Sequence, residues 1–76
     1  MRITDSARRH GISDDDIEHA YRNLVEVRQR DDGTFQAYGI DRAGNFREIA
    51  YRLIDDEIVV FHADRDRRRR PRKVRP

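Results

Sequence analysis

Apolar residues recur every three or four positions in one segment of the chain, from residue 12 to residue 24. Four of them share the i, i+3, i+4, i+7 spacing of a helix with one buried side: Ile17, Ala20, Tyr21 and Leu24. Ser13 stands just before this stripe and can cap a helix, and three aspartates follow it where the helix dipole favours negative charge. The pattern therefore predicts a helix that begins at Ser13.

A shorter helix is predicted upstream of Ser13. Thr4 or Asp5 can cap it, and the helical stretch would run through Arg9. Gly11 occupies a position at which helices commonly end in a left-handed residue. The first third of the chain is therefore expected to form two short helices.

From Val25 onward, apolar residues alternate with polar ones, as in strands that have one buried face. Turns rich in glycine or aspartate divide this part of the chain into four such segments: residues 25–30, 34–40, 45–54 and 57–63. Turns this short join neighbouring antiparallel strands. We therefore predict an α+β fold in which two N-terminal helices pack on one face of a four-stranded antiparallel β-meander, followed by a basic C-terminal tail.

The last predicted hairpin decides which side chains share a face of the sheet. A two-residue or four-residue loop around Asp55-Asp56 gives three pairs beneath the helices: Leu53 with Ile58, Tyr51 with Val60, and Ile49 with His62. Glu48 and Arg52 then lie on the opposite, open face. A three-residue loop would instead move His62 beside Glu48 and Arg52, and the sequence leaves both registers open.

Composition limits the chain to a single small domain. It has 76 residues, of which 36% are hydrophobic and 42% charged, and it has no cysteine, which excludes disulfides and thiolate metal sites. Met1 is followed by polar residues, and no run approaches the roughly 18 apolar residues of a membrane span. We expect a cytoplasmic protein without membrane association, stabilised in a homo-oligomer or hetero-oligomer.

Charge is distributed unevenly between a domain over residues 1–66 and a tail over residues 67–76. The tail holds seven of the seventeen basic residues and no acidic one, whereas the domain holds ten basic and all fifteen acidic residues. A run of like charges repels itself out of a core and attracts polyanions. The tail is therefore predicted to be flexible and to contact RNA, although a solubilising role or contact with the acidic domain also fits its charge.

Three side chains are candidates for the cleavage of RNA without a metal ion. That reaction needs groups that move protons to and from oxygen atoms, and a fixed cation for the charge on the phosphoryl group. Histidine changes charge near neutral pH, so His62 is the candidate for proton transfer, with Glu48 as base and Arg52 as phosphate clamp. Alternatively, His62 bonds to backbone at the core edge, and Glu48 and Arg52 form a solvated ion pair. The prediction includes no metal and no cofactor.

Further residues are candidates for holding the RNA. Six arginines are predicted to bind its phosphates: Arg47, Arg65, Arg67, Arg68, Arg69 and Arg70. Tyr38 is predicted to stack on a base, as aromatic side chains do in single-strand recognition. The other two histidines are assigned structural positions, His10 near the end of the first helix and His19 on the polar side of the second.

Three motifs of the chain resemble the BrnT-like toxins of bacterial type II toxin–antitoxin pairs. They are Arg9-His10-Gly11-Ile12-Ser13 before an acidic helix, Tyr38-Gly39-Ile40-Asp41-Arg42-Ala43-Gly44-Asn45 before a strand, and Ile58-Val59-Val60-Phe61-His62-Ala63 before an arginine cluster. The resemblance spans most of residues 5–70. It implies a small RelE-like ribonuclease fold, metal-independent RNA cleavage that inhibits translation, and neutralisation by a cognate DNA-binding antitoxin. The C-terminal end departs from the family pattern, because four arginines and a proline stand where a basic and aromatic helix is expected.

Two other classes of function stay open on the sequence. The chain can be a non-catalytic nucleic-acid-binding or phage-type regulatory module in which the arginine tail supplies the affinity. It can also be an inhibitor that binds only protein through its acidic domain. The three aspartates at the start of the main helix repel DNA, which argues against major-groove reading by that helix.

Overall fold

The computed structural model describes residues 1–68. They form one mixed sheet of five strands, a single α-helix and one turn of 3-10 helix over Asp5–Arg8. The α-helix, α1, spans Asp14–Arg22. The strands have these bounds: β1 Arg2–Ile3, β2 Leu24–Gln29, β3 Phe35–Ile40, β4 Phe46–Ile54 and β5 Glu57–Arg65. Across the sheet they lie in the order β1-β5-β4-β3-β2.

The prediction of two helices on a four-stranded antiparallel meander is wrong, first because the sheet has five strands and is mixed. Strands β2 to β5 each run antiparallel to the next, but β1 pairs in parallel with Val59 and Val60 of β5. The amide of Thr4 extends this pairing by donating to the carbonyl of Val60 at 3.0 Å. A two-residue strand is too short to show alternation, so sequence periodicity did not reveal β1.

The prediction is also wrong about the first helix. The upstream segment forms one 3-10 turn capped by Thr4, and the amide of Gly11 then donates to the carbonyl of Arg8 at 3.1 Å. Gly11 has a φ of 74°, a left-handed conformation that glycine adopts without steric penalty, and it turns the chain toward α1. An α-helix in the few residues between β1 and Gly11 would form only a few of the repeated backbone bonds that offset the cost of starting a helix.

The helix α1 begins where the sequence predicts. The hydroxyl of Ser13 accepts a hydrogen bond from the amide of Asp16 at 3.2 Å, and the buried face of the helix carries Ile17 and Ala20. A Cβ atom at Gly39 of β3 would collide with the carbonyl oxygen of Ala20. Glycine at this position therefore lets α1 lie directly on the sheet.

One face of the sheet is covered by α1 and the 3-10 turn and forms the core. The buried side chains of this cluster are Ala7, Ile12, Ile17, Ala37, Ile49, Tyr51, Val60 and Ala63. Alternate residues of the same strands form the opposite, open face, among them Glu26, Gln36, Tyr38, Glu48, Arg52 and Asp64. Within residues 1–68, no helix is long and apolar enough to cross a membrane.

The turn between β4 and β5 follows one of the predicted registers. Asp55 and Asp56 form a two-residue turn with φ values of 49° and 63°, the geometry that suits the twist of a hairpin. Two of the predicted pairs are confirmed next to this turn: Leu53 with Ile58, and Tyr51 with Val60.

Beyond these pairs the register shifts at a β-bulge. Phe61 is an extra residue in β5, so Ala50 faces His62, and Ile49 faces Ala63. The predicted pair of Ile49 with His62 is therefore wrong. The bulge moves His62 from the core face to the open face, which is the placement that the alternative loop length would have produced.

Candidate functional site

A concave site of about 470 Å³ lies on the open face. Its lining includes three arginines, two histidines and two carboxylates: Arg9, Arg30, Arg52, His10, His62, Asp32 and Glu48. All three side chains predicted to be catalytic are among them. The fold therefore gathers groups that transfer protons and groups that bind anions around one depression.

The β-bulge places two consecutive side chains of β5 in this site. Both Phe61 and His62 line it, although neighbours in a regular strand point to opposite faces. The hydroxyl of Ser6 donates to the carbonyl oxygen of Phe61 at 2.7 Å and so ties the 3-10 turn to the bulge. His10, which follows that turn, is thereby held next to His62.

Two histidines lie side by side in the site, each next to a carboxylate. The Nε2 atom of His62 is 3.5 Å from Oε1 of Glu48, and the Nε2 atom of His10 is 3.9 Å from Oδ2 of Asp64. The ring centroids are 5.6 Å apart, and the rings meet edge to face at 78°. Both nitrogen–oxygen distances exceed those of good hydrogen bonds, so each carboxylate acts on its imidazole through charge in this structure.

Asp64 carries a negative charge throughout the pH range in which histidines titrate. Partial burial acts to raise its pKa, but other contacts hold that pKa below the ordinary value. The backbone amide of Arg65 donates to the carboxylate at 2.7 Å, the side chain of Arg67 donates at 3.2 Å, and His10 contributes positive charge. His10 therefore always has an anion beside it at neutral pH.

The arginines of the site are close to acids but form no ion pair with them. The pKa of Asp32, which also lines the site, is lowered by hydrogen bonds from Thr34 and by the charges of Arg30 and Arg52. No carboxylate of residues 1–68 forms an ion pair with Arg9, Arg30 or Arg52. Arg52 lies across the ring of Phe61, with its Cζ atom 4.6 Å from the ring centroid, and Arg30 donates to the side-chain oxygen of Gln36 at 2.8 Å. These guanidinium groups can bind an anion without breaking an ion pair.

Tyr38 and Arg68, both predicted to bind RNA, lie against each other outside the concave site. The Cζ atom of Arg68 is 3.3 Å from the centroid of the Tyr38 ring, and Tyr38 is only 3% exposed. Arg68 also pairs with Asp66 at 3.2 Å and with Glu26 at 3.3 Å, and the hydrogen bond to Asp66 is the main cause that raises the pKa of Arg68. The face of the Tyr38 ring that a base would use is therefore covered.

Three other arginines predicted to bind phosphates, Arg47, Arg65 and Arg67, also lie outside the lining of the site. Arg47 donates at 2.9 Å to a buried carboxylate of the β3–β4 turn, and Arg67 pairs with the acid three positions before it. Arg65 is exposed at the end of β5. Arg69 and Arg70 lie outside the described residues, as does the rest of the predicted tail.

Sequence reasoning missed the part that His10 plays in the site. The sequence places His10 near the end of a predicted α-helix, but this segment forms a 3-10 turn. His10 meets His62 because that turn packs on β5. Local patterns carry no signal for a contact between residues so far apart in the chain. His19, by contrast, lies outside the site, with its Nδ1 atom 2.8 Å from the carbonyl oxygen of Ile40.

Comparison of the chain with protein-family models, with curated proteins and with solved structures gave no match in any of the three. Among residues 1–68 there is no group of three or more histidine, cysteine, aspartate or glutamate side chains placed to hold a metal ion.

Proposed function

We propose that the protein is an endoribonuclease that cleaves RNA without a metal ion. The observation that supports this proposal is the pair formed by His10 and His62, with 5.6 Å between ring centroids and a carboxylate beside each ring. Two imidazoles allow one group to accept a proton while the other donates one, which is what in-line cleavage of RNA requires.

In the proposed reaction the 2′-oxygen of a ribose attacks the neighbouring phosphorus, and the bond from that phosphorus to the next 5′-oxygen breaks. His62 takes the proton of the 2′-hydroxyl on Nδ1, since its Nε2 atom faces Glu48. His10, beside Asp64, gives a proton to the departing 5′-oxygen. The products are a 2′,3′-cyclic phosphate and a 5′-hydroxyl, and each histidine ends in the protonation state in which the other began.

Arg52 and Arg9 supply positive charge for the phosphoryl oxygens in this proposal. Charge builds up on those oxygens during the attack, and fixed donors that face them lower the barrier. The ring of Phe61 supports the guanidinium of Arg52 from one side, so that the group keeps its position while it binds the phosphate.

The chemistry is tested with a short RNA and a matched RNA that has a 2′-deoxyribose at the cleaved position, both incubated with EDTA. We expect cleavage of the first RNA only, with a cyclic phosphate detected by mass spectrometry. His62→Gln and His10→Gln should each slow cleavage by about 10²-fold or more. His19→Gln is the matched control and should retain the activity, because His19 lies outside the site.

Two results would contradict the proposal: cleavage of the deoxy-substituted RNA, or equal rates for His62→Gln and His19→Gln. If the protein binds RNA and leaves it intact, the alternative of a non-catalytic nucleic-acid-binding module is favoured. In that case binding should fall steeply with salt and should not depend on either histidine of the site.

The proposed biological role is that of a cytoplasmic toxin that inhibits translation and is neutralised by a cognate antitoxin. It is supported by the resemblance of three sequence motifs to BrnT-like toxins, together with the proposed RNA chemistry. Expression of the chain in a bacterial host should arrest growth and protein synthesis, and His62→Gln should relieve the arrest at equal protein level. Unimpaired growth with the active protein would refute the toxin role and leave the enzymatic proposal standing.

A further inference from the structure

β2 leaves one backbone edge of the sheet without a strand partner among residues 1–68. The amide of Arg30 donates to the carbonyl of Thr34 at 2.8 Å, and the carbonyl of Arg30 accepts from Gly33 at 3.0 Å, so Arg30 directs its backbone groups toward β3. Because successive strand residues alternate, the backbone groups of Gln29 and Val27 point away from β3. This edge offers donors and acceptors to another strand.

The side chains of this edge suit pairing with a strand. Val25 and Val27 are 56% and 48% exposed, so β2 presents two β-branched apolar side chains, a type that favours strand pairing, to solvent. The pairing of β2 with β3 is irregular between Leu24 and Glu26, so the regular part of the edge lies after that point. The residues available for pairing are thus centred on Val27.

The charges on either side of Val27 are complementary under a two-fold axis. Within one chain, Arg28 already donates to Glu26 at 2.7 Å. When two copies of β2 pair antiparallel with Val27 on the axis, the same charges also meet between subunits, because Glu26 faces Arg28 of the partner subunit and Arg28 faces the partner's Glu26. Opposite charges in directly facing positions stabilise a strand pair. An axis one residue to either side would instead place Glu26 or Arg28 against its own copy.

We propose that the protein forms a symmetric homodimer through β2, in this register. Residues that face each other across an antiparallel pair lie on the same side of the sheet, so the dimer is a continuous ten-stranded sheet. The two concave sites then open on the same face. This arrangement does not depend on the chemistry of the site.

The experiment uses two charge-reversed variants, Glu26→Arg and Arg28→Glu, each with its fold checked by circular dichroism. Alone, each variant places like charges in both facing pairs and should be monomeric by light scattering, whereas the unmodified protein should be dimeric. An equimolar mixture of the two variants restores opposite charges in both pairs and should form a heterodimer, detected by native mass spectrometry. Glu57→Arg, at the other end of the sheet, is the matched control and should remain dimeric.

A monomeric unmodified protein from micromolar to millimolar concentration would overturn the proposal. So would dimers of either single variant as stable as the dimer of the unmodified protein, because they would show another interface. A heterodimer formed in the mixture by variants whose folds are intact by circular dichroism supports both the β2 interface and its register.

Discussion

The arginines that line the concave site and those that follow β5 differ in whether they form ion pairs with carboxylates of the same chain. Arg9, Arg30 and Arg52 line the site and form no ion pair with a carboxylate of residues 1–68. Arg67 and Arg68 follow β5 after one intervening residue, and both are bound to acids. Arg67 pairs with Asp64, and Arg68 pairs with Asp66 and Glu26. Only the first group can meet a phosphate without breaking an ion pair.

This difference teaches that a dense run of basic residues does not identify the charges available to a ligand. Where acids alternate with arginines, as in Asp64-Arg65-Asp66-Arg67, the chain can pair them locally. Arg52 faces Val59 across the β4–β5 pair and has an aromatic ring beside it, so its strand neighbours offer no anion. The charge of Arg52 therefore remains directed at the site.

The largest effect is expected for removal of a cation from the site. Arg52→Gln should lower kcat/KM for RNA cleavage by about 10²-fold, because a fixed donor to the phosphoryl oxygens is lost. The melting temperature should fall by less than it does for Arg68→Gln, since Arg52 loses its contact with the Phe61 ring but no ion pair with residues 1–68. Arg67→Gln is the matched control. Equal losses of activity in the two variants would remove the distinction between the two groups of arginines.

A large effect on stability is expected where an arginine is bound to a buried acid. Asp41 is 2% exposed and accepts hydrogen bonds from Ala43, from the backbone and side chain of Asn45, and from Arg47. Asp41→Ala leaves these donors without their acceptor and should lower the free energy of unfolding by about 2–4 kcal/mol, measured with urea. Asp31→Ala, in an exposed turn, serves as the control and should unfold like the unmodified protein.

A smaller effect on stability is expected for Arg68. Arg68→Gln removes the cation from the Tyr38 ring and the ion pairs with Asp66 and Glu26, so the melting temperature should fall by a few degrees. Cleavage measured well below that temperature should be unchanged. A loss of activity without a loss of stability would show that Arg68 contacts RNA despite its ion pairs with Asp66 and Glu26.

The smallest effect is expected for the loss of stability at low pH. It tests the ion pair between Arg42 and Asp16. The side chain of Arg42 donates to Asp16 at 2.9 Å and is the main reason that the pKa of Asp16 is lowered to about 2 from an ordinary value near 3.8. A carboxylate with a lowered pKa contributes stability above its ordinary value, and the contribution is lost as the pH falls toward 2. Asp16→Asn should therefore lose less stability than the unmodified protein between about pH 4 and pH 2 in urea titrations. An unchanged slope would show that Arg42 and Asp16 do not interact in solution.

Local signals in the sequence predicted the parts of the fold that depend on neighbours along the chain. Ser13 with its three aspartates marked the start of α1, and Asp55-Asp56 marked a two-residue turn with the correct pairs beside it. β1 and the 3-10 turn were missed because their structure comes from packing on β5, which short segments do not report.

For the candidate site, the chemistry of the residues was enough to select them from the sequence, but their positions on the sheet were not predictable. His62, Glu48 and Arg52 were singled out for their chemistry, and the structure brings all three into one depression. The register that places them there depends on the bulge at Phe61, and an alternating pattern does not show a single extra residue. His10 was assigned elsewhere because its position depends on the same strand.

Because Phe61 is an extra residue at the bulge, β5 can lose one residue there without changing which residues its two halves face on β4. Deletion of Phe61 would bring Val60 and His62 into a regular ladder, with His62 still opposite Ala50. Such a shortened strand would keep the imidazole on its face but lose the ring under Arg52 and the carbonyl that Ser6 holds. In homologous chains, insertions and deletions at this one point would therefore tune the site while leaving the hydrophobic interior in place.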